Sequence, residues 1–374
     1  MKIAGILAEY NPLHSGHIYH LSKTKEEADG VVVLLSGHLM QRGEFARYDK
    51  WSRTKAALIA GADLVIELSS TFCCASAERF ASAAVSIFDR IECIDVMSFG
   101  SELGDIENIL SVARAIDGIE QTKEFKERIK VGECYPKARQ AALGKEGELL
   151  SQPNNTLAVE YCKAILKTNP KITPKTVKRV GAPHDGQDED VIVSASFLRE
   201  NESKMERYIP KEILDCFKNP SRPSDVLFLS HLRRLAPNDF LKLPDVSDGL
   251  ENRLYKAAQN ACSLGEFYSL AKSKFLTHSR LRRITVYALV GITKDILPPS
   301  PSYARILGFN KAGREILNRA NRDKIFLSPD FPEISKRFPN EARFDAIATD
   351  LFYLGTSPIG LCGQDYRRRP TVME

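Results

Sequence analysis

Hydrophobic and polar positions follow two periods along the first two hundred residues. Short continuous apolar runs at Ile3–Ala8, Val31–Leu35, Leu64–Leu68 and Ile94–Phe99, with a further one at Thr176–Val180, predict strands buried on both faces. Between them, Ser15–Glu27, Lys50–Ala60, Ala77–Phe88, Leu103–Ile116 and Asn155–Leu166 read as helices. Leu103, Ile106, Leu110 and Ala113 fall on one side of the fourth helix, and Leu157, Tyr161 and Ile165 form a stripe on the fifth. Asp29-Gly30 and Gly61 supply stops. Alternation of this kind predicts an α/β fold, Rossmann-like, with a parallel sheet covered by helices. Ligands of such sheets bind beyond the strands' carboxyl ends, where Asn11, Ser36-Gly37 and Gly100-Ser101 fall.

Past about residue 205 the pattern changes to helices broken by proline-bearing loops (Pro210, Pro220, Pro223, Pro237, Pro244, Pro298-Pro299). The expected division is a catalytic α/β domain over residues 1–204 and a mostly helical domain over 205–374. The closing "QDYRRRPTVME" reads as a tail.

Composition alters this picture in two ways. No apolar run reaches the ~20 residues of a membrane span, and the first residues enter a strand without a leader pattern, so a cytoplasmic location is expected. Eight cysteines without a CxxC pair point the same way, to reduced thiols. The net charge of +5 is unevenly spread: residues 1–200 hold 25 of the 53 Lys/Arg and 28 of the 48 Asp/Glu, leaving an excess of cations after residue 200. From Phe267 to Lys294 there is no acid, and Lys272, Lys274, Arg280, Arg282 and Arg283 are candidate contacts for a polyanion.

The most informative stretch is "NPLHSGH", where Asn11-Pro12 turns the chain out of the first strand and a helix begins near Ser15. His14 and His17 then stand where free N–H groups and the positive dipole end of the helix converge, which suits a phosphate. Gly16 between them lets a ring or ribose approach the backbone. Imidazoles there can donate to charge building on a phosphoryl oxygen. A cap without chemistry is the plainer alternative, and a metal held by His14, His17 and His20 lacks the usual companion ligands. In "IVSASFLRE", Ser194 can cap a helix, Ser196 can donate to a phosphate and Arg199 can hold phosphates bidentately.

Together these two segments resemble the paired motifs of the nucleotidyltransferase superfamily, relatives of class I aminoacyl-tRNA synthetases. Further stretches, "SGHLMQRGEFARYDKWSRTKAALIAGADLVIEL", "FGSELGD", "QPNNTLAVEYCKAI", "KRVGAPHD", "SRLRRITVYALVGI" and "YARILGFNKAGREIL", resemble the tRNA(Met) cytidine acetate ligase family over nearly the whole chain. That resemblance implies an enzyme that activates acetate with ATP as acetyl-adenylate, releasing pyrophosphate. The acetyl group then passes to N4 of the wobble cytidine of elongator tRNA(Met). It implies ATP contacts at Leu7, Ala8, Glu9, Tyr10, Asn11, Pro12, Leu13, His14, Ser15, Gly16, His17, Ile18, Tyr19 and His20. Gly100, Asn154 (or its neighbour Asn155), Arg179, Ser196 and Arg199 complete that set, with His14 and His17 as the catalytic pair and Mg2+ expected to accompany ATP.

The chain departs from the family pattern at Leu13-His14-Ser15, at Gly37-His38 and in "ELSSTF", with His38 expected near the pocket mouth. Arg42, in a loop after the second strand, is a further candidate for tRNA or triphosphate. The alternative enzyme is a nucleotidyltransferase joining AMP or CMP to a phosphorylated metabolite, which leaves the basic second half unexplained. A third reading, a silent tRNA-binding protein, leaves the joint presence of His14, Gly16, His17, Ser196 and Arg199 unexplained.

Overall fold

Ten strands and the helices around them were located in a computed structural model that describes residues 1–131, 133–169, 171–179, 193–274 and 276–374. The strands are β1 (Ile3–Ala8), β2 (Gly30–Ser36), β3 (Leu39–Met40), β4 (Glu44–Phe45), β5 (Leu64–Leu68), β6 (Val96–Ser101), β7 (Thr173–Lys178), β8 (Tyr303–Phe309), β9 (Phe326–Ser328) and β10 (Thr371–Val372). Eight of them form one sheet in the order β10-β8-β5-β2-β1-β6-β7, with β9 beside β8, and β3 and β4 form a separate hairpin. Strands β5, β2, β1, β6 and β7 are mutually parallel. Chain order reverses at β1, so the crevice between the ends of β1 and β6 is the switch point where such sheets bind ligands.

Every residue of β2 is buried, because the strand is covered on both faces. Val32 and Leu34 join the core with the Ala77–Ile91 and Pro153–Thr168 helices. Val31, Val33 and Leu35 point the other way, to the cluster that holds Leu21, Ala56, Ala57 and Leu198. Each such side chain contributes roughly 1.5–3 kcal/mol on leaving water, which sets the register of the central strand firmly. The helix expected at Lys50–Ala60 runs Lys50–Ile59, with Asp49 Oδ1 capping the Ser52 N–H at 2.9 Å.

The second half of the chain is mainly helical, as expected, but it also returns three strands to the sheet. β8 lies antiparallel to β5 and carries β9 and β10 alongside. Residue 204 is therefore not an edge of the sheet. Tyr303–Phe309 is a short, mostly apolar run, and periodicity cannot tell a buried strand of that length from a helix turn. The expected tail is likewise built in. Thr371 and Val372 pair with Gly308 and Phe309, and Asp365 is fully buried against Lys50 and Arg305. Part of "KRVGAPHD", the end of the strand expected at Thr176–Val180, and Ile192 lie outside the described residues. Among the described residues no helix is long and apolar enough to cross a membrane.

Candidate functional site

Leu7 and Ala8, half-buried, end β1 at the switch point. The chain leaves through Glu9, through Tyr10 at φ 45° and through a cis bond between Asn11 and Pro12. Tyr10, Asn11, Pro12 and Leu13 are buried in this turn, and the Ser15–Lys25 helix follows. Its first two turns carry Ser15, Gly16, His17, Ile18, Tyr19 and His20, all half-buried. His20 Nε2 lies 2.9 Å from Ser98 Oγ on β6, which seats the helix over the β1–β6 crevice.

The histidine pair builds the cap of this helix. His14 Nδ1 accepts the Gly16 N–H at 3.1 Å, and His17 Nδ1 accepts the His14 N–H at 3.3 Å. A ring nitrogen that accepts carries no proton, so in both neutral rings the proton sits on Nε2. Burial, helped by the charge of Arg179, holds His14 down at about 3 and His20 at about 4. His17 is held well below its ordinary value by burial, with His14 and Arg179 adding to the effect. The two rings lie 4.0 Å apart between centroids. The helix end thus fixes both tautomers, and each ring keeps an Nε2–H to donate.

The second motif meets the first directly. Ser194 Oγ caps the Ala195–Glu200 helix by accepting the Phe197 N–H at 3.2 Å. Arg199 Nη1 donates to the Asn11 carbonyl at 2.7 Å, and its Nη2 donates to Ser196 Oγ at 3.2 Å. Asn11 Oδ1 in turn accepts the Arg47 N–H at 2.7 Å. Segments separated by some 188 positions are thereby joined at the turn that leads into the histidines.

On the other side of the crevice, Gly100 sits in β6, where an added Cβ would meet the Arg179 side chain at 3.6 Å and the Val177 carbonyl at 3.9 Å, both ordinary contacts. Among the described residues no atom excludes a side chain there. Arg179 is exposed and its N–H donates to the Ser101 carbonyl at 2.9 Å. Asn154 and Asn155 part company. Asn155 is buried and its Oδ1 accepts the Leu103 N–H at 3.1 Å, while the half-buried Asn154 turns its Nδ2 to Glu102 at 2.6 Å. Neither asparagine caps the Pro153–Thr168 helix. Glu102 does so instead, accepting the Asn154 and Asn155 N–H groups at 3.2 and 2.8 Å.

Two expectations are corrected. His38 is not at the pocket mouth: it is 1% exposed, with Nδ1 2.9 Å from Thr349 Oγ1 and Nε2 accepting the Lys50 N–H at 3.3 Å. Its ring is part of the packing between the Pro339–Leu354 helix and the core. Arg283 is not offered to a partner either. It is 8% exposed, and its Nε donates to Asp245 Oδ2 at 2.6 Å. It lies on the inward face of the His278–Val290 helix, which a count of cations along the chain does not reveal. Arg280 is half-buried on the Asp245 carbonyl at 2.7 Å, whereas Lys272 and Lys274 are exposed. Lys272 Nζ donates to the Leu276 carbonyl, and Arg282 pairs with Glu44.

Arg53 and Glu44 had no local signal, and neither had the contact that Glu9, expected beside ATP, makes across the fold. Arg53, wholly buried, donates to the carbonyls of Glu9 and Ser36 at 2.8 and 2.9 Å and to that of Gly37, tying the ends of β1 and β2 together. Glu9 Oε1 accepts the Gln41 N–H at 2.6 Å, and burial raises the carboxyl above its ordinary value. Glu44 faces both Arg199 and Arg282. These contacts run across the fold to groups distant in sequence, so no spacing could announce them.

Residues 1–360 match the HIGH nucleotidyl transferase family. The tRNA(Met) cytidine acetate ligase of Clostridium tetani is 35% identical over 407 aligned positions, covering all of both chains. That of Caldicellulosiruptor saccharolyticus is 40% identical, covering 85% of this chain and 84% of its own. The chain belongs to the tRNA(Met) cytidine acetate ligase family. Its fold agrees with the crystal structure of Thermotoga maritima TmcAL bound with alpha-thio ATP, at a TM-score of 0.89 and 29% identity over all of both chains.

Proposed function

We propose that this protein is an ATP-dependent tRNA(Met) cytidine acetate ligase. Acetate attacks the α-phosphorus of ATP in line, the bond to pyrophosphate breaks, and acetyl-adenylate forms. The N4 amine of the wobble cytidine then attacks the acetyl carbon, AMP leaves, and the amine gives up a proton. The observation that carries this reading is the Arg199–Asn11 hydrogen bond of 2.7 Å, which sets a guanidinium beside the helix mouth where His14 and His17 donate. Phosphoryl chemistry asks for positioning and donors more than for covalent help.

In this reading the Nε2–H groups of His14 and His17 donate to the phosphates, and neutrality suits them to donate without a competing proton loss. Arg199, steadied by Ser196, holds the β- and γ-phosphates. The nucleoside lies toward Gly100, Asn154 and Arg179, where β6 has no side chain to obstruct it. Residues Leu7 to His20 wrap the nucleotide from the β1 side. Among the described residues no cluster of three His, Cys, Asp or Glu side chains could hold a metal ion, so Mg2+ would be held by the phosphates of ATP and would offset their charge. Lys272, Lys274 and Arg282 face the phosphates of the tRNA, a contact that steers and orients rather than reads sequence. The helical part of the second half, residues 205–297, is the RNA-facing unit. Eight free cysteines suit a reducing cytoplasm.

Pyrophosphate release measured from ATP, with and without acetate, tests the reading. Release that needs acetate, followed by tRNA-dependent acetyl transfer, is expected. Release that instead needs a phosphorylated metabolite would favour the AMP- or CMP-transferring alternative. His17→Ala is expected to lower acetate-dependent release by about 10²–10³-fold while tRNA binding persists.

A further inference from the structure

The hairpin of β3 and β4 touches both halves of the site. Its turn residue Gln41 donates from its backbone N–H to Glu9 at 2.6 Å and from its side chain to the Ala75 carbonyl at 2.8 Å. At the tip, Gly43 adopts φ 79°, and a Cβ there would lie 2.2 Å from the Arg283 nitrogen and 2.4 Å from the Arg282 carbonyl carbon. Only glycine permits this contact, so the hairpin backbone rests directly on the His278–Val290 helix.

The next residue, Glu44, stands between two cations that serve different ligands. One carboxylate oxygen pairs with Arg282 Nη1 on that helix, and the other lies 3.6 Å from Arg199 Nη2. Arg199 is anchored independently, on the Asn11 carbonyl and Ser196 Oγ. Glu44 therefore does not set where that guanidinium sits. It sets how much positive charge the guanidinium presents. The three side chains are 24% (Arg199), 32% (Glu44) and 41% (Arg282) exposed, so a phosphate can reach either arginine. Ion pairs this exposed are weak, and an incoming dianion outcompetes a single carboxylate.

We propose that Glu44 is a counter-ion shared by Arg199 and Arg282, which orders the two substrates by making triphosphate at Arg199 and RNA phosphate at Arg282 disfavour each other. This rests on the ATP and tRNA assignments above. With triphosphate on Arg199, Glu44 stays on Arg282 and screens it from RNA. Once pyrophosphate has left, the carboxylate turns to Arg199 and Arg282 is open. RNA bound at Arg282 sends the carboxylate to Arg199, which weakens the hold on triphosphate. By linkage, the two effects are one coupling seen from either side. The tRNA is thereby held back until acetate has been activated.

The test is tRNA affinity of the full chain at one fixed salt concentration, with a saturating non-hydrolysable ATP analogue or with saturating AMP. Wild type is expected to bind tRNA roughly tenfold more weakly with the analogue than with AMP. In Glu44→Gln the two affinities should agree within about twofold, because the amide carries no charge to shift. Equal affinities in wild type, or a preserved ratio in the variant, overturn the proposal while leaving the ligase reading intact. No tRNA binding in either state overturns that reading and this inference with it. A second variant covers loss of folding in the first. Arg282→Gln yields Glu44 wholly to Arg199, so affinity for the ATP analogue without RNA should fall about three- to tenfold. Unchanged affinity overturns the proposal.

Discussion

Two charge clusters in this molecule look alike in composition and differ in what surrounds them. At the carboxyl end of β5, Lys50 Nζ lies 2.6 Å from both Glu67 and Asp365, and Arg305 pairs with Asp365, all within 2% of complete burial. About the β3–β4 hairpin, Glu44 faces Arg199 and Arg282 with a quarter to two fifths of each side chain in water. In the first cluster the ions have only one another and no water to turn to, so removing one leaves the rest under-compensated in a low dielectric. In the second, water and phosphates are always available, so the pairs exchange at small cost. Burial turns a set of ion pairs into a clamp, and exposure turns the same chemistry into a place where ligands compete. The clamp fastens the C-terminal segment to the sheet, while the exposed set faces the proposed substrates.

The contrast can be broken most forcefully at the clamp. Lys50→Met is expected to cost about 3–5 kcal/mol of stability, since Glu67 and Asp365 lose their shared cation. A urea titration giving less than about 1 kcal/mol would show the cluster to be hydrated in solution. The same cluster should be visible in the pH dependence. Burial raises Glu67 from 4.5 to about 7, and it raises the neighbouring Asp345, whose Oδ1 accepts the Ser70 N–H at 2.6 Å, from 3.8 to about 6. A carboxyl whose folded value is raised gives stability that is complete below its unfolded value and fades as pH climbs through the folded one. Asp345→Asn removes one such group. Its stability relative to wild type should therefore improve by on the order of 1–3 kcal/mol between pH 4 and pH 7. A difference independent of pH would mean that Asp345 is ionised throughout.

At the exposed cluster, smaller effects on folding are expected. Arg282→Gln should change stability by no more than about 0.5 kcal/mol. It should also reduce the salt slope of tRNA binding by about one. A large loss of stability would place Arg282 with the buried set. The least change of all is expected from the histidines. Both stay neutral far below their ordinary value, so between pH 5 and 8 acetate-dependent pyrophosphate release should show no limb that disappears in His17→Asn. Such a limb would mean that the imidazolium, not the imidazole, faces the phosphates. On stability these rings act oppositely to the raised carboxyls. Their contribution is complete above about 6.5 and is lost as pH falls below it, for His14 down to about 3, because the unfolded chain takes up the protons first.

Local pattern and tertiary contact divided the labour unevenly. Strands β1 and β5 lie on the residues that periodicity singled out, and the helices between them differ by a few residues at their ends. A strand buried on both faces must be continuously apolar, and a covering helix must carry a stripe, so these elements are written in neighbouring residues. The histidine pair was legible for the same reason, since a cap and its tautomers involve residues only three apart. β8 was not legible, because a seven-residue buried run has no period of its own. The C-terminal segment was misread as loose, since Asp365 finds Lys50 and Arg305 only after the chain has crossed the whole sheet.

What the chain determined unaided was the α/β alternation, the helix mouth with His14 and His17, and the family to which these motifs belong. All rest on interactions within a turn or two, where spacing is geometry. What the tertiary structure alone decided was the sharing of charge: Arg283 withdrawn onto Asp245, His38 sealed beneath Thr349, and Glu44 set between Arg199 and Arg282. Whether an ionic side chain fastens the fold or meets a ligand depends on its distance from water. That distance is a property of the packed molecule and has no counterpart along the chain.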